Sequence, residues 1–113
     1  MMSDAFLNII RNAIEAVKEH GNIFVSLRYA DDTHQSAIVE IRDNGCGIDE
    51  EDMPHIFNPF FTVKKYGTGL GLSQVKKIID LHQGTIDITS ENGKGTKVYV
   101  TLPCYERRYV PRN

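Results

Sequence analysis

The sequence predicts an α/β fold, a two-layer α/β sandwich in which helices cover one face of a mixed, mainly antiparallel sheet. Two segments repeat apolar residues at helical spacing, and four segments alternate apolar and polar residues as strands do. Their order along the chain is helix, strand, strand, loop, helix, strand, strand. Two hairpins can join in one sheet, and two amphipathic helices can bury their apolar stripes against it.

Composition indicates one globular domain. The chain has 113 residues, of which 41% are hydrophobic and 25% charged, and its net charge of −2 does not favour nucleic-acid binding. Its two cysteines are far apart, which argues against both a disulfide framework and a thiolate metal site. No apolar run approaches the ~20 residues of a membrane helix, and no signal-peptide pattern begins the chain. We therefore expect a cytoplasmic location.

The first helix is predicted from Ser3 to about Glu19, with Gly21 after its end. One face carries the apolar residues Phe6, Ile10, Ala13 and Val17. On another face Asn8 lies one turn before Asn12. Because asparagine is a mediocre helix former, this pair indicates either a functional site or a solvated polar face.

The strands are predicted in two hairpins. Residues 23–29 alternate apolar and polar side chains, which predicts a strand with one buried face. The next strand, around Ala37 to Ile41, places Asp43 at its end. Residues 85–90 and 97–102 form the second hairpin. We interpret the acidic residues 49–52 as a solvated loop.

Two glycine-rich turns, residues 43–48 and 67–72, bracket a polar loop that contains Lys64 and Lys65. The second turn opens a helix predicted from about Leu70 to His82, which stops near Gly84. Bare backbone N–H groups at a helix start attract anions. The arrangement predicts a site for a phosphate-bearing ligand.

Five segments in order, residues 8–16, 43–48, 56–64, 67–72 and 93–96, closely resemble the ATP-binding catalytic domain of sensor histidine kinases. That domain shares an ATPase superfamily with gyrase, a class of heat-shock chaperones and the mismatch-repair ATPases. The resemblance covers about residues 5–102 and implies a Bergerat-type fold with an ATP lid, truncated at its N-terminus. Residues 1–104 would be the catalytic domain and residues 105–113 a tail.

The resemblance also implies roles for individual side chains. Asn12 would hold Mg²⁺ through its amide oxygen, and Asn8 would point at the same metal and phosphate region. Asp43 would accept a hydrogen bond from the exocyclic amine of adenine, and Thr96 would join the hydrogen bonds to the base. Lys64 would reach the phosphates. Asn8, Asn12 and Lys64 are therefore the expected catalytic residues.

Backbone contacts to ATP are implied at the two turns. Gly45 and Gly47 would let the backbone approach the purine, and the glycines of the second turn would bring amides to the phosphates. The remaining residues implied to bind ATP at the turns are Ile48, Gly67, Thr68, Gly69, Leu70, Gly71 and Leu72.

The implied function is transfer of the γ-phosphoryl group of Mg-ATP to a histidine. Relatives that hydrolyse ATP carry a glutamate at the position of Asn8, so water activation should be poor here. None of the four histidines resembles the phosphoacceptor. We therefore expect a fragment of a longer kinase, either soluble or membrane-bound, that itself contacts no membrane. Its expected partners are a separate dimerisation domain and, through it, a response regulator.

Two alternatives stay open. One is a non-catalytic ATP-sensing or protein-interaction module of the same fold, and the other is a serine kinase of the anti-sigma type. A dinucleotide-binding fold is disfavoured, because Gly67 follows a charged loop and Leu72 occupies the place of the third glycine.

Overall fold

The computed structural model describes residues 2–17, 21–58 and 70–104. It contains helix α1 (Met2–Ala16), strands β1 (Ile23–Tyr29) and β2 (Ser36–Asp43), a 3₁₀ turn (Met53–His55), helix α2 (Leu70–Leu81), and strands β3 (Thr85–Glu91) and β4 (Gly95–Pro103). The order of helices and strands is the predicted one. No helix in these ranges is long and apolar enough to cross a bilayer.

The four strands form one sheet in the order β1-β2-β4-β3, and every pairing is antiparallel. Both predicted hairpins are present, and they join through their second strands, where Ile41 lies opposite Val98. The α/β sandwich is therefore confirmed, although the described strands contain no parallel pair and the sheet is simpler than the expected mixed one. Both helices pack over the same face of the sheet.

Helix α1 ends earlier than predicted. Its last residue is Ala16, whereas the sequence predicted an end near Glu19. The carbonyl oxygen of Ala16, the last residue of α1, accepts a hydrogen bond from the N–H of Cys46 at 3.2 Å. This contact joins the end of α1 to a residue distant in sequence, and helical periodicity could not reveal it.

The buried face of α1 is also rotated from the predicted apolar face. Ala5, Ile9 and Ala13 are buried, while Phe6 and Ile10 are only partly buried against the core. α1 packs against α2 as well as against the sheet, so its small residues face the close contacts and Phe6 lies at the margin. The core is completed from α2 and the sheet by Val75, Ile79, Ile41, Ile86, Val98 and Val100.

The prediction that β1 has one buried face is wrong. Val25 and Leu27 point to the same side as the core residues of β2, yet they are 58% and 72% exposed. β1 is the edge of the described sheet, and the described helices pack over the other three strands. Alternation identifies the apolar side of a strand, but it does not show whether anything covers that side.

Two residues, Gln83 and Gly84, terminate α2, whereas the sequence predicted a stop at Gly84 alone. Gln83 has a φ of 61°, the left-handed conformation common after a helix, and the N–H of Gly84 donates to the carbonyl oxygen of Ile79 at 2.9 Å. A Cβ on Gly84 would lie 2.6 Å from the carbonyl oxygen of Thr101. Gly84 is therefore required for close packing of the helix end on β4.

We expect Val100→Ala to lower the free energy of unfolding by about 2 kcal/mol, because Val100 is fully buried in the core. Val25→Ala is the matched control on the same side of the sheet, and it should cost less than about 0.5 kcal/mol. Urea unfolding of both variants measures the difference. Equal losses would mean that the apolar face of β1 is buried in solution.

Candidate functional site

A small cavity lies between the two helices and the end of the sheet where β2 finishes and β4 begins. Its volume is about 50 Å³, and its polar lining residues are Asn12, Asp43 and Thr96. The rest of its wall is formed by Ile9, Ala13, Ala16, Ile41, Gly47, Ile48, Leu72, Ile88 and Val98. An apolar cavity with a few convergent polar groups is typical of a small-molecule site.

Asp43 is the most distinctive group in this cavity. It is the last residue of β2, is only 8% exposed, and lies opposite Thr96 of β4. The N–H of Gly45 donates to its Oδ1 at 2.9 Å. Burial raises the pKa of the Asp43 carboxyl, and hydrogen bonds from the backbone of Gly45 and Thr96 partly oppose the rise. A buried carboxyl held in this way is a candidate ligand contact.

The first glycine-rich turn, residues 43–48, is fixed by three hydrogen bonds to distant segments. The N–H of Cys46 donates to the carbonyl oxygen of Ala16, and the carbonyl oxygen of Cys46 accepts from the N–H of Gly93 at 2.6 Å. The N–H of Ile48 donates to Oγ of Ser90 at 2.7 Å. The turn is thus held between the end of α1 and the β3–β4 hairpin, which gives the cavity a defined wall.

Two glycines allow these backbones to meet. Gly47 has a φ of 72°, and a Cβ there would lie 2.1 Å from the carbonyl oxygen of Glu91. Gly95 has a φ of 125°, and a Cβ there would lie 2.1 Å from the carbonyl oxygen of Asp43. Both positions therefore exclude a side chain through conformation and through space. The expected approach of the Gly45 and Gly47 backbone to a purine stays a prediction.

Six of the predicted site residues line the cavity: Asn12, Asp43, Gly47, Ile48, Leu72 and Thr96. Gly45 adjoins them through its hydrogen bond to Asp43. Leu70 and Gly71 belong to the first turn of α2. The predicted lid around Lys64, together with Gly67, Thr68, Gly69 and the tail at 105–113, lies outside the described residues.

The structure does not bring Asn8 to the cavity lined by Asn12. Asn8 lines a separate groove between α1 and α2, together with Arg11, Gln74 and Lys77. Residues four apart on a helix are offset by about 6 Å along its axis and about 40° in direction, so neighbouring amides of this kind can lie in different cavities. The implied role of Asn8 near the phosphates remains a prediction.

Ser90 is a part of the site that the sequence prediction missed. Its hydroxyl binds the N–H of Ile48 and lies 2.9 Å from Oγ1 of Thr96. The signal available in the sequence was a polar residue at an inward position of β3, following Ile86 and Ile88 at the same alternation. A hydroxyl at a position that otherwise carries apolar side chains needs a partner, and the opposite strand supplies it.

Comparison with known proteins gives consistent matches. The pattern of the family described as "Histidine kinase-, DNA gyrase B-, and HSP90-like ATPase" matches residues 2–106. Sporulation kinase E of Bacillus subtilis (strain 168) is 41% identical over 112 residues, which are 99% of this chain and 15% of the relative. The chain thus spans less than a sixth of that protein.

Solved structures match in the same way. The mycobacterial sensor histidine kinase MprB superposes with a TM-score of 0.77 at 29% identity, covering 88% of this chain and 70% of that one. A nucleotide-free crystal form of the catalytic domain of histidine kinase ThkA superposes with a TM-score of 0.73 at 38% identity, covering 88% and 64%.

Proposed function

This chain belongs to the histidine kinase-, DNA gyrase B- and HSP90-like ATPase family, and from that premise we propose that it binds Mg-ATP and donates the γ-phosphoryl group to a histidine on a separate dimerisation domain. The observation that carries the proposal is the buried carboxyl of Asp43, which lies opposite Thr96 at the polar end of an otherwise apolar cavity. The parent protein would be a sensor kinase of a two-component system.

The cavity has the chemistry that an adenine base requires. An ionised carboxylate accepts hydrogen bonds and cannot donate them, so Asp43 matches the exocyclic amine of adenine. Guanine presents a carbonyl oxygen at the same position, which a carboxylate repels. The apolar side chains of Ile48, Ile88 and Val98 line the cavity and suit the faces of a planar ring. These features support selectivity for ATP over GTP.

Asn12 lines the same cavity and supports a magnesium site. A hard cation prefers oxygen ligands, and Mg²⁺ commonly takes one or two from the protein and the rest from water and substrate phosphates. The amide oxygen of Asn12 fits that requirement. Bound Mg²⁺ would neutralise charge on the phosphate oxygens, while Asn12 would hold the triphosphate end in one orientation.

The proposed reaction is a displacement at the γ-phosphorus. A neutral imidazole nitrogen of the acceptor histidine forms a bond to phosphorus, the bond from phosphorus to the β–γ bridging oxygen breaks, and ADP departs with the electron pair. Catalysis here depends mainly on positioning, with the base held at Asp43 and Thr96. Asn8 bears an amide, which cannot take a proton from water, and this favours transfer over hydrolysis.

Calorimetric titration with ATP and then GTP, each with and without Mg²⁺, tests the proposal first. We expect saturable binding that prefers ATP and strengthens with Mg²⁺. Labelled ATP mixed with a dimerising, histidine-bearing domain should then give an acid-labile phosphoprotein. A folded sample that binds no nucleotide at millimolar concentration would contradict the proposal. Binding without transfer would favour the ATP-sensing module, and an acid-stable product would favour the serine kinase.

Asn12→Ala should weaken Mg²⁺-dependent ATP affinity at least about tenfold, because it removes the proposed metal ligand. Asn8→Ala is the matched control, since it makes the same change one turn away in a separate groove. We expect Asn8→Ala to keep nucleotide affinity and to lose only phosphoryl transfer. Calorimetry measures the ATP affinity of each variant, and a thermal melt measures its stability. If Asn12→Ala loses no more free energy of ATP binding than free energy of unfolding, the role of Asn12 is structural.

A further inference from the structure

Ser90 joins three parts of the candidate site through one hydroxyl group. It lies on β3 directly opposite Thr96 of β4. Its Oγ is 2.7 Å from the backbone nitrogen of Ile48, 3.0 Å from the carbonyl oxygen of Gly95 and 2.9 Å from Oγ1 of Thr96. One hydroxyl therefore connects the first glycine-rich turn, the β3–β4 hairpin and the polar end of the cavity.

The three contacts fix the direction of each hydrogen bond. A serine hydroxyl has one hydrogen to donate and two lone pairs to accept with. The N–H of Ile48 takes one lone pair, and the carbonyl oxygen of Gly95 can only accept, so it receives the serine hydrogen. The third contact then forms only if Thr96 donates its own hydrogen to Ser90. The reverse assignment would leave Gly95 without this bond.

This assignment decides what Thr96 offers to the cavity. With its only hydrogen directed at Ser90, Oγ1 of Thr96 presents lone pairs alone. Asp43, its partner across the strands, also accepts when ionised. The polar end of the cavity therefore contains two side-chain acceptors next to each other, an arrangement that a ligand with two hydrogens on one nitrogen can satisfy.

We propose that Ser90 is a specificity-determining residue that keeps the Thr96 hydroxyl as an acceptor, so that the site takes a 6-amino purine and rejects a 6-oxo purine. Ser90 is a positioning residue in this scheme, because it acts on the base through Thr96. The proposal rests on the proposed function, since it specifies how the ATP site recognises its base. The oxygen of a 6-oxo group has no hydrogen to donate, so at position 6 it would face two acceptors and satisfy neither of them.

The test compares ATP with inosine triphosphate, which differs from ATP in carrying a 6-oxo group and a hydrogen on N1. We expect the native chain to prefer ATP. In Ser90→Ala the Thr96 hydroxyl is free to rotate and donate to an oxo group, so the ratio of the two affinities should fall about tenfold. Ser90→Thr keeps the hydroxyl and should keep the ratio. Calorimetry measures each affinity, and a thermal melt confirms that each variant is folded.

Ser90→Ala also removes the partner of the Ile48 N–H, and that structural damage should weaken both nucleotides alike. The ratio of affinities, not either affinity alone, therefore reports on the proposal. Thr96→Val removes the acceptor directly while keeping the side-chain shape, so it should lower the ratio even if Ser90→Ala does not fold. Adding Ser90→Ala to Thr96→Val should then change the ratio no further.

The outcomes separate this proposal from the proposed function. A native chain that binds ATP no more tightly than inosine triphosphate would overturn the adenine site itself. A native chain that prefers ATP, with an unchanged ratio in Ser90→Ala, would overturn only the role of Ser90. An unchanged ratio in Thr96→Val would overturn the role of Ser90 and also remove Thr96 from recognition of the base.

Discussion

Asp43→Ala is expected to abolish detectable ATP binding while the protein still unfolds in one cooperative transition. The carboxyl is the proposed base-selective acceptor at the polar end of the cavity, and a hydrogen bond to a charged group contributes about 1.5–3 kcal/mol. Its side chain lies outside the buried apolar cluster and accepts hydrogen bonds from the backbone of Gly45 and Thr96, so the fold should persist. Calorimetry gives the affinity and thermal unfolding gives the stability. Affinity close to that of the native chain would contradict the assignment of Asp43 to adenine.

The same carboxyl predicts opposite pH dependences for stability and for binding. Burial raises the pKa of Asp43 from its ordinary value of 3.8, so the folded protein holds this proton more tightly than the unfolded chain. The resulting stabilisation is complete below pH 3.8 and is lost as the pH rises through the raised pKa. ATP affinity should increase over the same interval, because the ionised carboxylate is the stronger acceptor.

Asp43→Asn supplies the control for this pH dependence. Asparagine does not titrate, so the difference in melting temperature between the native chain and the variant isolates Asp43 from every other group. The excess of the native chain's melting temperature over that of the variant should shrink as the pH rises. The excess of its ATP affinity should grow over the same interval. A difference in melting temperature that does not vary with pH would show that Asp43 has an ordinary pKa.

Gly95→Ala should lower the free energy of unfolding by more than about 4 kcal/mol, a large part of the stability of a domain this size. Its φ of 125° is strained for any residue with a Cβ, and that Cβ would lie 2.1 Å from the carbonyl oxygen of Asp43. Relief would require β4 to separate from β2 at the candidate site. We therefore expect the variant to lose ATP binding as well as stability.

Gly93→Ala is the matched control in the same hairpin. Gly93 also has a positive φ, 83°, but a Cβ there would meet nothing within 4 Å. The cost should be the conformational penalty alone, about 1 kcal/mol. Urea unfolding of the two variants separates the contact from the backbone conformation. Similar losses would show that φ, and not the approach of Gly95 to Asp43, determines the need for glycine.

Local patterns in the sequence predicted the elements well because periodicity and turn chemistry are local properties. Alternation gave β1 its bounds at Ile23 and Tyr29, and helical spacing placed α2 within one residue of its observed end at Leu81. The Asp43 turn was recognised because a carboxylate and two glycines follow an apolar strand. The family resemblance then grouped Asn12, Asp43 and Thr96, which line one cavity.

Tertiary structure alone decided which residues meet. The bond from Ile48 to Ser90 joins residues 42 apart in the chain, and it depends on the register of β3 against β4. The bond from the N–H of Cys46 to Ala16 also joins distant residues, and the exposure of Leu27 depends on which strands the described helices cover. A sequence encodes the conformational preference of each segment. The hydrogen bonds and burial that complete the site arise only when segments pack against each other. Sequence by itself therefore determined the helices and strands of this protein, and their packing determined the candidate site.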